Sequence, residues 1–368
     1  MRKLSVWALI APAVVCLALV RPASAQWTVT NLSPGSGQSG VSGAYGNIQV
    51  GCAFAQGMGV QQAGMWSSTT NSWVDLQPAS GVVTSNAYGA DDTQEIGEWT
   101  TNRDRESAIV WNGSSSSYVD LTPTWASEAY GCGISGNTQV GCVGWPGRQV
   151  VTAALWHGTS ASVVDLNPNG DYSSTAWATD GDQQVGWTMP QSGGATYAAL
   201  WNGTSDSYVN LNPAGSSGST AQGVYGGWQC GENGHALLWN GTSASCIDIN
   251  PTGAVGSGAM AMCKGVVAGY VGYGSYGHAG VWISADPNGY VDMADNFVDL
   301  GVPDGYLTSQ ADAVGVANGN IYVSGYAMDA SHNLTAFLWT YTPVPEPSSL
   351  LALALGAGAL LPIIRKRK

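Results

Sequence analysis

A four-residue pattern, Ala-x-x-Trp, recurs seven times along this chain and limits the folds that the chain can adopt. Successive repeat tryptophans are 45, 45, 45, 38, 43 and 57 residues apart. Two other patterns also recur seven times: a segment similar to Val-Asp-Leu-x-Pro, and a short apolar segment that ends on glycine. A period of about 45 residues predicts stacked supersecondary units. The repeat tryptophans are Trp66, Trp111, Trp156, Trp201, Trp239, Trp282 and Trp339.

Each unit contains segments for about four short strands. Around Trp201, "YAALW" reads as one strand and "SYVNLNP" as the next, joined through Asn202-Gly203. Asn-Gly favours a type I′ turn, in which both central residues have positive φ. Pro213 cannot donate to a ladder and ends its strand. A strand near Ala221 and the segment "YGGWQCG" complete the unit. Four-stranded units of this length are typical of β-propeller blades.

The seven units fill residues 26–342 without a remainder. The segment "VTNLSP", the first that is similar to Val-Asp-Leu-x-Pro, opens this region as a strand, and the seventh tryptophan strand closes it. The sequence therefore predicts an all-β, seven-bladed β-propeller of four-stranded blades. Six or eight blades are alternatives, and so is an open β-solenoid, which would need caps at both ends.

Composition supports strands and excludes one class of partner. Only 10% of the residues are charged, and Trp and Tyr number 16 each. Residues 26–342 contain four basic and 23 acidic residues, which leaves a formal charge of −19. Nucleic acid is therefore excluded as a partner, because phosphate binding needs a basic face. No motif indicates a cofactor or a metal site.

The chain begins with the pattern of a secretion signal. Arg2 and Lys3 precede an apolar run, and Ala23 and Ala25 fit the small-residue positions before cleavage at Gln26. Residues 1–25 are therefore predicted to be a signal peptide.

Residues 343–368 have a three-part pattern. Pro345, Glu346 and Pro347 follow Val344, an apolar run comes next, and four basic residues end the chain. The run is long enough for a transmembrane helix, and the basic end is expected to stay cytoplasmic. The basic residues are Arg365, Lys366, Arg367 and Lys368.

This tail resembles the PEP-CTERM sorting signal of Gram-negative bacteria. The resemblance implies that an exosortase-type membrane protease processes the chain, which is anchored by its C-terminal helix beforehand. It also implies delivery to the cell envelope, the outer surface or the extracellular matrix, where such proteins are associated with exopolysaccharide and biofilm. Exopolysaccharide and surface proteins are the partners that this implies. The plain alternative is a C-terminal anchor.

The repeats are similar to bacterial extracellular HAF repeats. "GHALLW" (234–239) and "TAFLW" (335–339) come nearest to that pattern. This resemblance implies a surface propeller of unassigned activity.

Periodic residues are expected to be scaffold, because blade-to-blade packing needs the same residue at the same place in every blade. The seven tryptophans are therefore assigned to packing. The aspartates of the Val-Asp-Leu segments are expected to accept turn hydrogen bonds. Their alternative role is a ring of carboxylates that holds a cation in the channel.

Aromatic residues outside the repeat are candidates for stacking on sugar rings, with core packing between blades as the alternative. The candidate glycan contacts are Trp187, Trp228 and Tyr270.

Residues 26–342 contain six cysteines, and export would allow disulfides. Cys132 and Cys142 flank one predicted hairpin, and Cys230 and Cys246 lie on successive predicted strands. Two disulfides, Cys132–Cys142 and Cys230–Cys246, are predicted on this basis.

No catalytic motif or distinctive acid pair is apparent, so no catalytic residue is assigned. The sequence leads us to expect an exported, non-enzymatic structural or binding propeller. The alternative is a secreted propeller enzyme, a hydrolase or lyase, that acts on polysaccharide.

Overall fold

Seven antiparallel sheets of four strands each make up the β-structure of the described residues. The computed structural model describes residues 26–343, except 55–59, 79–80, 102–104, 148–149, 275, 287–288 and 291. The chain divides into two compact units, one of Trp27–Thr340 and one formed by Met1–Gln26 and Tyr341–Lys368. The predicted signal peptide and residues 344–368 lie outside the described residues.

The first four blades follow one another along the chain, and the strands of each are given from the innermost to the outermost. Blade 1 contains β2 (Ser39–Tyr45), β3 (Ile48–Phe54), β4 (Gln61–Trp66) and β5 (Val74–Asp75). Blade 2 contains β6 (Val82–Ala90), β7 (Glu95–Thr101), β8 (Glu106–Trp111) and β9 (Tyr118–Asp120). Blade 3 contains β10 (Ala129–Ser135), β11 (Thr138–Gly144), β12 (Val151–Trp156) and β13 (Val164–Asp165). Blade 4 contains β14 (Asp171–Thr179), β15 (Gln184–Pro190), β16 (Tyr197–Trp201) and β17 (Val209–Asn210).

The last three blades have the same order, and the seventh takes its outermost strand from the start of the described chain. Blade 5 contains β18 (Thr220–Tyr225), β19 (Trp228–Glu232), β20 (Ala236–Trp239) and β21 (Ile247–Asp248). Blade 6 contains β22 (Gly256–Cys263), β23 (Val266–Gly272), β24 (Gly277–Ile283) and β25 (Phe297–Gly301). Blade 7 contains β26 (Thr308–Ala317), β27 (Asn320–Met328), β28 (Leu334–Thr342) and β1 (Gln26–Asn31). The prediction of a seven-bladed propeller with four-stranded blades is confirmed.

Short 3₁₀ helices lie between the third and fourth strands of five blades. They span Thr70–Ser72, Ser160–Ser162, Ser205–Ser207, Ser243–Ser245 and Met293–Asp295. In the part of the chain that the structure describes, no helix has the length and apolarity of a membrane span.

The predicted turn at Asn202-Gly203 is wrong. Seven residues with a 3₁₀ helix separate β16 from β17, and Gly203 has a positive φ of 81° but Asn202 does not. Side-chain acceptors support this longer connection: Gln184 Oε1 accepts from the Gly203 N–H at 2.7 Å, and Ser207 Oγ accepts from the Asn202 N–H at 2.8 Å. The tight turns lie between first and second strands, as at Gly226-Gly227, where φ is 58° and 84°.

The repeat tryptophans are fully buried at the boundaries between blades. Trp156 of blade 3 packs against Ile96, Ala108, Val110 and Leu121 of blade 2. The same contact recurs for Trp111 on blade 1, Trp201 on blade 3, Trp239 on blade 4 and Trp282 on blade 5. Trp66 of blade 1 packs on Leu32, Ala336 and Leu338 of blade 7, which closes the ring.

The alanine of each Ala-x-x-Trp pattern links two blades through its backbone. The Ala153 N–H donates to Ser174 Oγ of the next blade at 2.9 Å. At six boundaries the acceptor is a serine that lies in the innermost strand of the next blade or, for Ser219, directly before it. The last of these bonds, from the Ala336 N–H to Ser39 Oγ at 3.0 Å, links blade 7 to blade 1. At the boundary of blades 2 and 3, Thr122 Oγ1 accepts from Ala108 instead.

The aspartates of the Val-Asp-Leu segments lie at the outer edge of the blades. Asp75 Oδ1 accepts from the Gln77 N–H at 2.8 Å, and Asp120 Oδ1 accepts from the Thr122 N–H at 2.8 Å. They are turn acceptors on outermost strands. The alternative of a carboxylate ring in the channel is wrong for these residues.

Candidate functional site

Every innermost strand contains a β-bulge at the same place, and the bulged residue lines the central channel. The register shifts in β6 between Ala87 and Gly89, which leaves Tyr88 unpaired, and the same shift recurs in the other six blades. We call these seven residues the channel ring. They are Ser42, Tyr88, Cys132, Trp177, Gln222, Met260 and Asp312.

The glycine of the third repeat pattern explains why the bulge forms there. An added Cβ at Gly97 would lie 1.9 Å from the carbonyl oxygen of Asn86, and the six equivalent glycines have the same close approach. Only a residue without Cβ allows the two backbones to come so near. The scaffold therefore fixes the position of each channel-ring residue but leaves its identity free. All seven residues differ in type.

A cavity of about 800 Å³ opens at the end of the channel where the innermost strands begin. The channel ring forms its floor, and residues from blades 2–4 form much of its wall. Its volume is within the range of small-molecule sites, roughly 300–1,000 Å³. The wall includes Glu98, Glu128, Tyr130 and Cys142.

Two hydrogen-bonded groups of tyrosine and glutamate lie at this cavity. Tyr88 donates its hydroxyl to Glu98 Oε1 at 2.8 Å. Tyr130 donates to Glu106 Oε2, and its hydroxyl also lies 3.0 Å from Glu128 Oε2. Burial raises the pKa of Glu98, the Tyr88 bond opposes this shift, and the charge of Glu106 adds to it. A buried carboxyl group with a raised pKa is suited to act as a general acid.

Asp312 is the acidic member of the channel ring. Its Oδ1 accepts from Gln310 Nε2 at 2.7 Å. Burial raises the pKa of Asp312 to about 6, and the hydrogen bond from Gln310 lowers it only in part. The cavity therefore contains a third carboxyl group, which blade 7 contributes.

The candidate glycan contacts lie outside the wall of this cavity. Trp187 is half-buried, with its ring centroid 6.5 Å from that of Trp177. Trp228 packs at 5.8 Å on Tyr290, and Tyr270 donates to Glu232 Oε2 at 2.6 Å. The aromatic residues at the cavity are instead Tyr88, Tyr130 and Trp177.

Both predicted disulfides are corrected by the strand register. All six cysteines of residues 26–342 are free thiols. Cys142 lies opposite Tyr130, whereas Cys132 is displaced into the bulge and lines the channel. Cys230 lies on β19, and Cys246 directly precedes β21. Strand β20 lies between these two strands, because Leu238 pairs with Cys230 on one side and with Ile247 on the other. Two strand spacings of about 4.8 Å exceed the reach of a disulfide.

The sorting and cleavage predictions concern residues outside the described part of the chain. These residues are Ala23 and Ala25, the motif Val344, Pro345, Glu346 and Pro347, and the basic residues Arg365, Lys366, Arg367 and Lys368. Across residues 26–343 outside the gaps, no three His, Cys, Asp or Glu side chains are close enough to hold a metal ion.

The channel ring was not predicted from the sequence, although the sequence contains a signal for it. In six blades the ring residue lies nine positions before the repeat glycine, and in blade 7 it lies thirteen before. It is flanked on both sides by Ala, Gly or Val, as in Ala87-Tyr88-Gly89. The pattern is hard to recognise because its central residue is different in every repeat.

Comparison with known proteins shows the fold. No protein-family model and no curated protein matches the chain. A prolyl endopeptidase structure is 10% identical with a TM-score of 0.53, and the match covers 84% of this chain and 50% of that one. A post-proline cleaving enzyme from Rickettsia typhi is 9% identical with a TM-score of 0.49, and the match covers 82% and 53% of the two chains. A sialidase from Trypanosoma rangeli is 10% identical with a TM-score of 0.39, and the match covers 84% and 54%.

The comparison with the prolyl endopeptidase corrects the expectation of a non-enzymatic structural protein. The prolyl endopeptidase, the one of these three with a TM-score above 0.5, is an enzyme that contains this fold. This chain spans about half the length of the solved chains named here. The likeness at about 10% identity is one of fold, so the activity of a relative remains that of the relative.

Proposed function

We propose that the chain is an exported propeller enzyme that hydrolyses polysaccharide at the mouth of its channel. One observation carries the proposal: Glu98 and Glu128 line the same cavity, and each interacts with a tyrosine that also lines it. Glycoside hydrolysis generally requires two carboxyl groups that flank the scissile bond. The aromatic side chains of Tyr88, Tyr130 and Trp177 offer surfaces for sugar rings.

The two glutamates take different roles. Burial raises the pKa of Glu98, so Glu98 is the general acid that protonates the leaving oxygen. Glu128 acts from the other group of hydrogen-bonded residues, as the base that activates water or as the nucleophile. Tyr88 orients Glu98 through its hydroxyl. The Tyr130 hydroxyl lies within hydrogen-bond distance of both Glu106 and Glu128 and orients Glu128 when its single hydrogen is donated there.

Hydrolysis fits the cavity better than elimination does. A lyase that acts on a uronic acid must neutralise the carboxylate of its substrate. Among the described residues that line the cavity, none is Lys, Arg or His. The carboxyl groups present are instead suited to acid–base work on a neutral or cationic sugar.

The test is the release of reducing ends from a panel of neutral and amino-sugar polysaccharides by the purified protein. Glu98→Gln and Glu128→Gln should each lower the rate about 100-fold or more, because each removes an acid–base group. Glu232→Gln is the matched control, since Glu232 also accepts from a tyrosine but lies outside the cavity wall. Full activity in both cavity variants, or cleavage of no polysaccharide by the native protein, would contradict the proposal.

We also propose the location that the two chain ends predict. The signal peptide directs export, and an exosortase-type protease processes the tail near Pro345–Pro347, after which the propeller reaches the envelope or matrix. Support comes from the order of motif, apolar run and basic end in the sequence. Deletion of residues 345–368 should change where the protein accumulates in cell fractions. An unchanged distribution would overturn this location.

A further inference from the structure

Negative charge in the cavity has no counter-charge from the described chain. Glu98, Glu128 and Asp312 all line the cavity. The His–Asp ion pairs of the described residues join His235 and His278 to aspartates on outer strands, far from this wall. No described basic side chain pairs with any of the three cavity carboxyl groups. A bound ligand that carries a positive charge would complement these carboxyl groups.

Asp312 has a free oxygen inside the channel. Gln310 Nε2 occupies Oδ1 at 2.7 Å, and Oδ2 has no hydrogen-bond partner among residues 26–343 outside the gaps. The strand bulge places the side chain in the channel ring rather than in a sheet face. Because Asp312 belongs to neither group of tyrosine and glutamate, it is available to bind substrate while Glu98 and Glu128 perform the chemistry.

Aromatic side chains lie in the same cavity as these carboxyl groups. Trp177 is a channel-ring residue, and the edge-to-face contact with Trp187 supports its indole. Tyr88 and Tyr130 lie on the blades beside it. Aromatic faces attract cations as well as apolar sugar faces. The combination of aromatic rings and an unpaired carboxylate favours a sugar that bears an ammonium group.

We propose that the cavity selects an amino sugar whose amine is free, and that Asp312 binds the ammonium group. This inference rests on the proposed hydrolysis of polysaccharide and names its substrate class. Uronic acids and sulfated sugars are disfavoured by like charge against Glu128 and Asp312, the two cavity carboxyl groups that the proposed mechanism leaves ionised. An N-acetylated sugar lacks the charge that the carboxylate would pair with.

Titration calorimetry with the purified protein tests this directly. Glucosamine oligomers should bind about tenfold or more tightly than N-acetylglucosamine oligomers of the same length, because a charge-assisted hydrogen bond is lost on acetylation. Glucose oligomers of the same length serve as the neutral reference and should also bind more weakly. Equal or tighter binding of the acetylated oligomer would overturn the inference.

Asp312→Asn should abolish this preference while the variant still binds neutral oligomers. The control is Asp206→Asn, which removes an exposed carboxyl group from the 3₁₀ helix of blade 4. Circular dichroism and the unfolding midpoint show whether each variant is folded. An undiminished preference in folded Asp312→Asn would overturn the role of this residue.

Two outcomes separate this inference from the proposed function. Cleavage of a neutral polysaccharide with no preference for a free amine would leave the hydrolase standing and overturn the inference. Tight binding of glucosamine oligomers without cleavage of any polysaccharide would support the ligand class and contradict the hydrolase.

Discussion

The blade boundaries and the channel of this propeller follow opposite rules. At the boundaries, the same features recur in every blade: a buried tryptophan, an alanine that donates to the next blade, and an outer aspartate or asparagine that closes a turn. In the channel, one bulged position recurs, but its seven side chains are all different. The repeated residues therefore hold the blades together, and the residues that differ between repeats determine the chemistry of the channel.

The largest expected effect is the loss of a boundary tryptophan. Trp156→Ala should lower the free energy of unfolding by about 3–5 kcal/mol, because it leaves a cavity between blades 2 and 3. Trp125→Ala is the matched change outside the repeat, where the residue is 43% exposed and its ring stacks on Trp145 at 4.6 Å. That variant should lose about 0.5–1.5 kcal/mol. Urea unfolding measures both, and equal losses would break the distinction between boundary and non-repeat residues.

Substitution of the glycine opposite the bulged strand is expected to give the next largest loss in the free energy of unfolding. Gly97→Ala should cost about 1–3 kcal/mol, because its Cβ would lie 1.9 Å from the Asn86 carbonyl oxygen. Gly40→Ala is the control, since an added Cβ there meets nothing within 4 Å. The same unfolding experiment applies. A Gly97→Ala variant as stable as Gly40→Ala would refute the close-approach explanation of the repeat glycine.

The raised pKa of Asp312 in the channel predicts that the free energy of unfolding depends on pH. Its pKa of about 6 in the folded state lies above the ordinary value of 3.8, so ionisation destabilises the fold. The penalty is absent well below pH 3.8, where the group is protonated in both states, and it is complete above about pH 6. Asp312→Asn should therefore be more stable than the native protein at pH 7.5, by about 3 kcal/mol. At about pH 2.5 the two should be equal. A difference that does not change with pH would contradict the assignment.

The smallest expected effect concerns the hydrogen bond between blades. Ser174→Ala should cost about 1 kcal/mol, because the buried Ala153 N–H loses its acceptor. Ser192→Ala removes an exposed hydroxyl and serves as the reference. Hydrogen exchange at Ala153 should accelerate in the first variant and stay unchanged in the second. Unchanged protection in both would mean that the serine contributes nothing to the boundary.

The sequence was sufficient to predict the ring because its periodic residues face other blades. Trp201 contacts residues at positions equivalent to those around Trp156 and Trp239, so repetition alone identifies it as a residue that packs between blades. The first outer-strand segment pairs with the seventh blade, as the complete set of seven units required. The prediction of a tight turn at Asn202-Gly203 was wrong because side-chain acceptors favour a longer connection over the local preference of Asn-Gly.

The cavity could not be predicted from the sequence, because it depends on registers that bring distant residues together. Glu106 and Tyr130 are 24 positions apart and belong to different blades. Glu98 directly follows a repeat glycine, yet nothing in one repeat tells whether that side chain faces the channel. The bulge in β6 places Tyr88 in the channel, where it donates to Glu98, and this bulge is visible only once Gly97 is paired with the neighbouring strand.

A variant that blocks the channel and leaves the propeller fold intact tests most directly whether the channel is the functional site. Gln222→Trp places a bulky side chain at the channel-ring position of blade 5. Blade 4 has Trp177 at the equivalent position, so the backbone accepts a tryptophan there. We expect an unchanged unfolding midpoint together with at least a roughly tenfold loss of reducing-end release, because the floor of the cavity is filled. Full activity in a folded Gln222→Trp variant would contradict the assignment of the channel as the functional site.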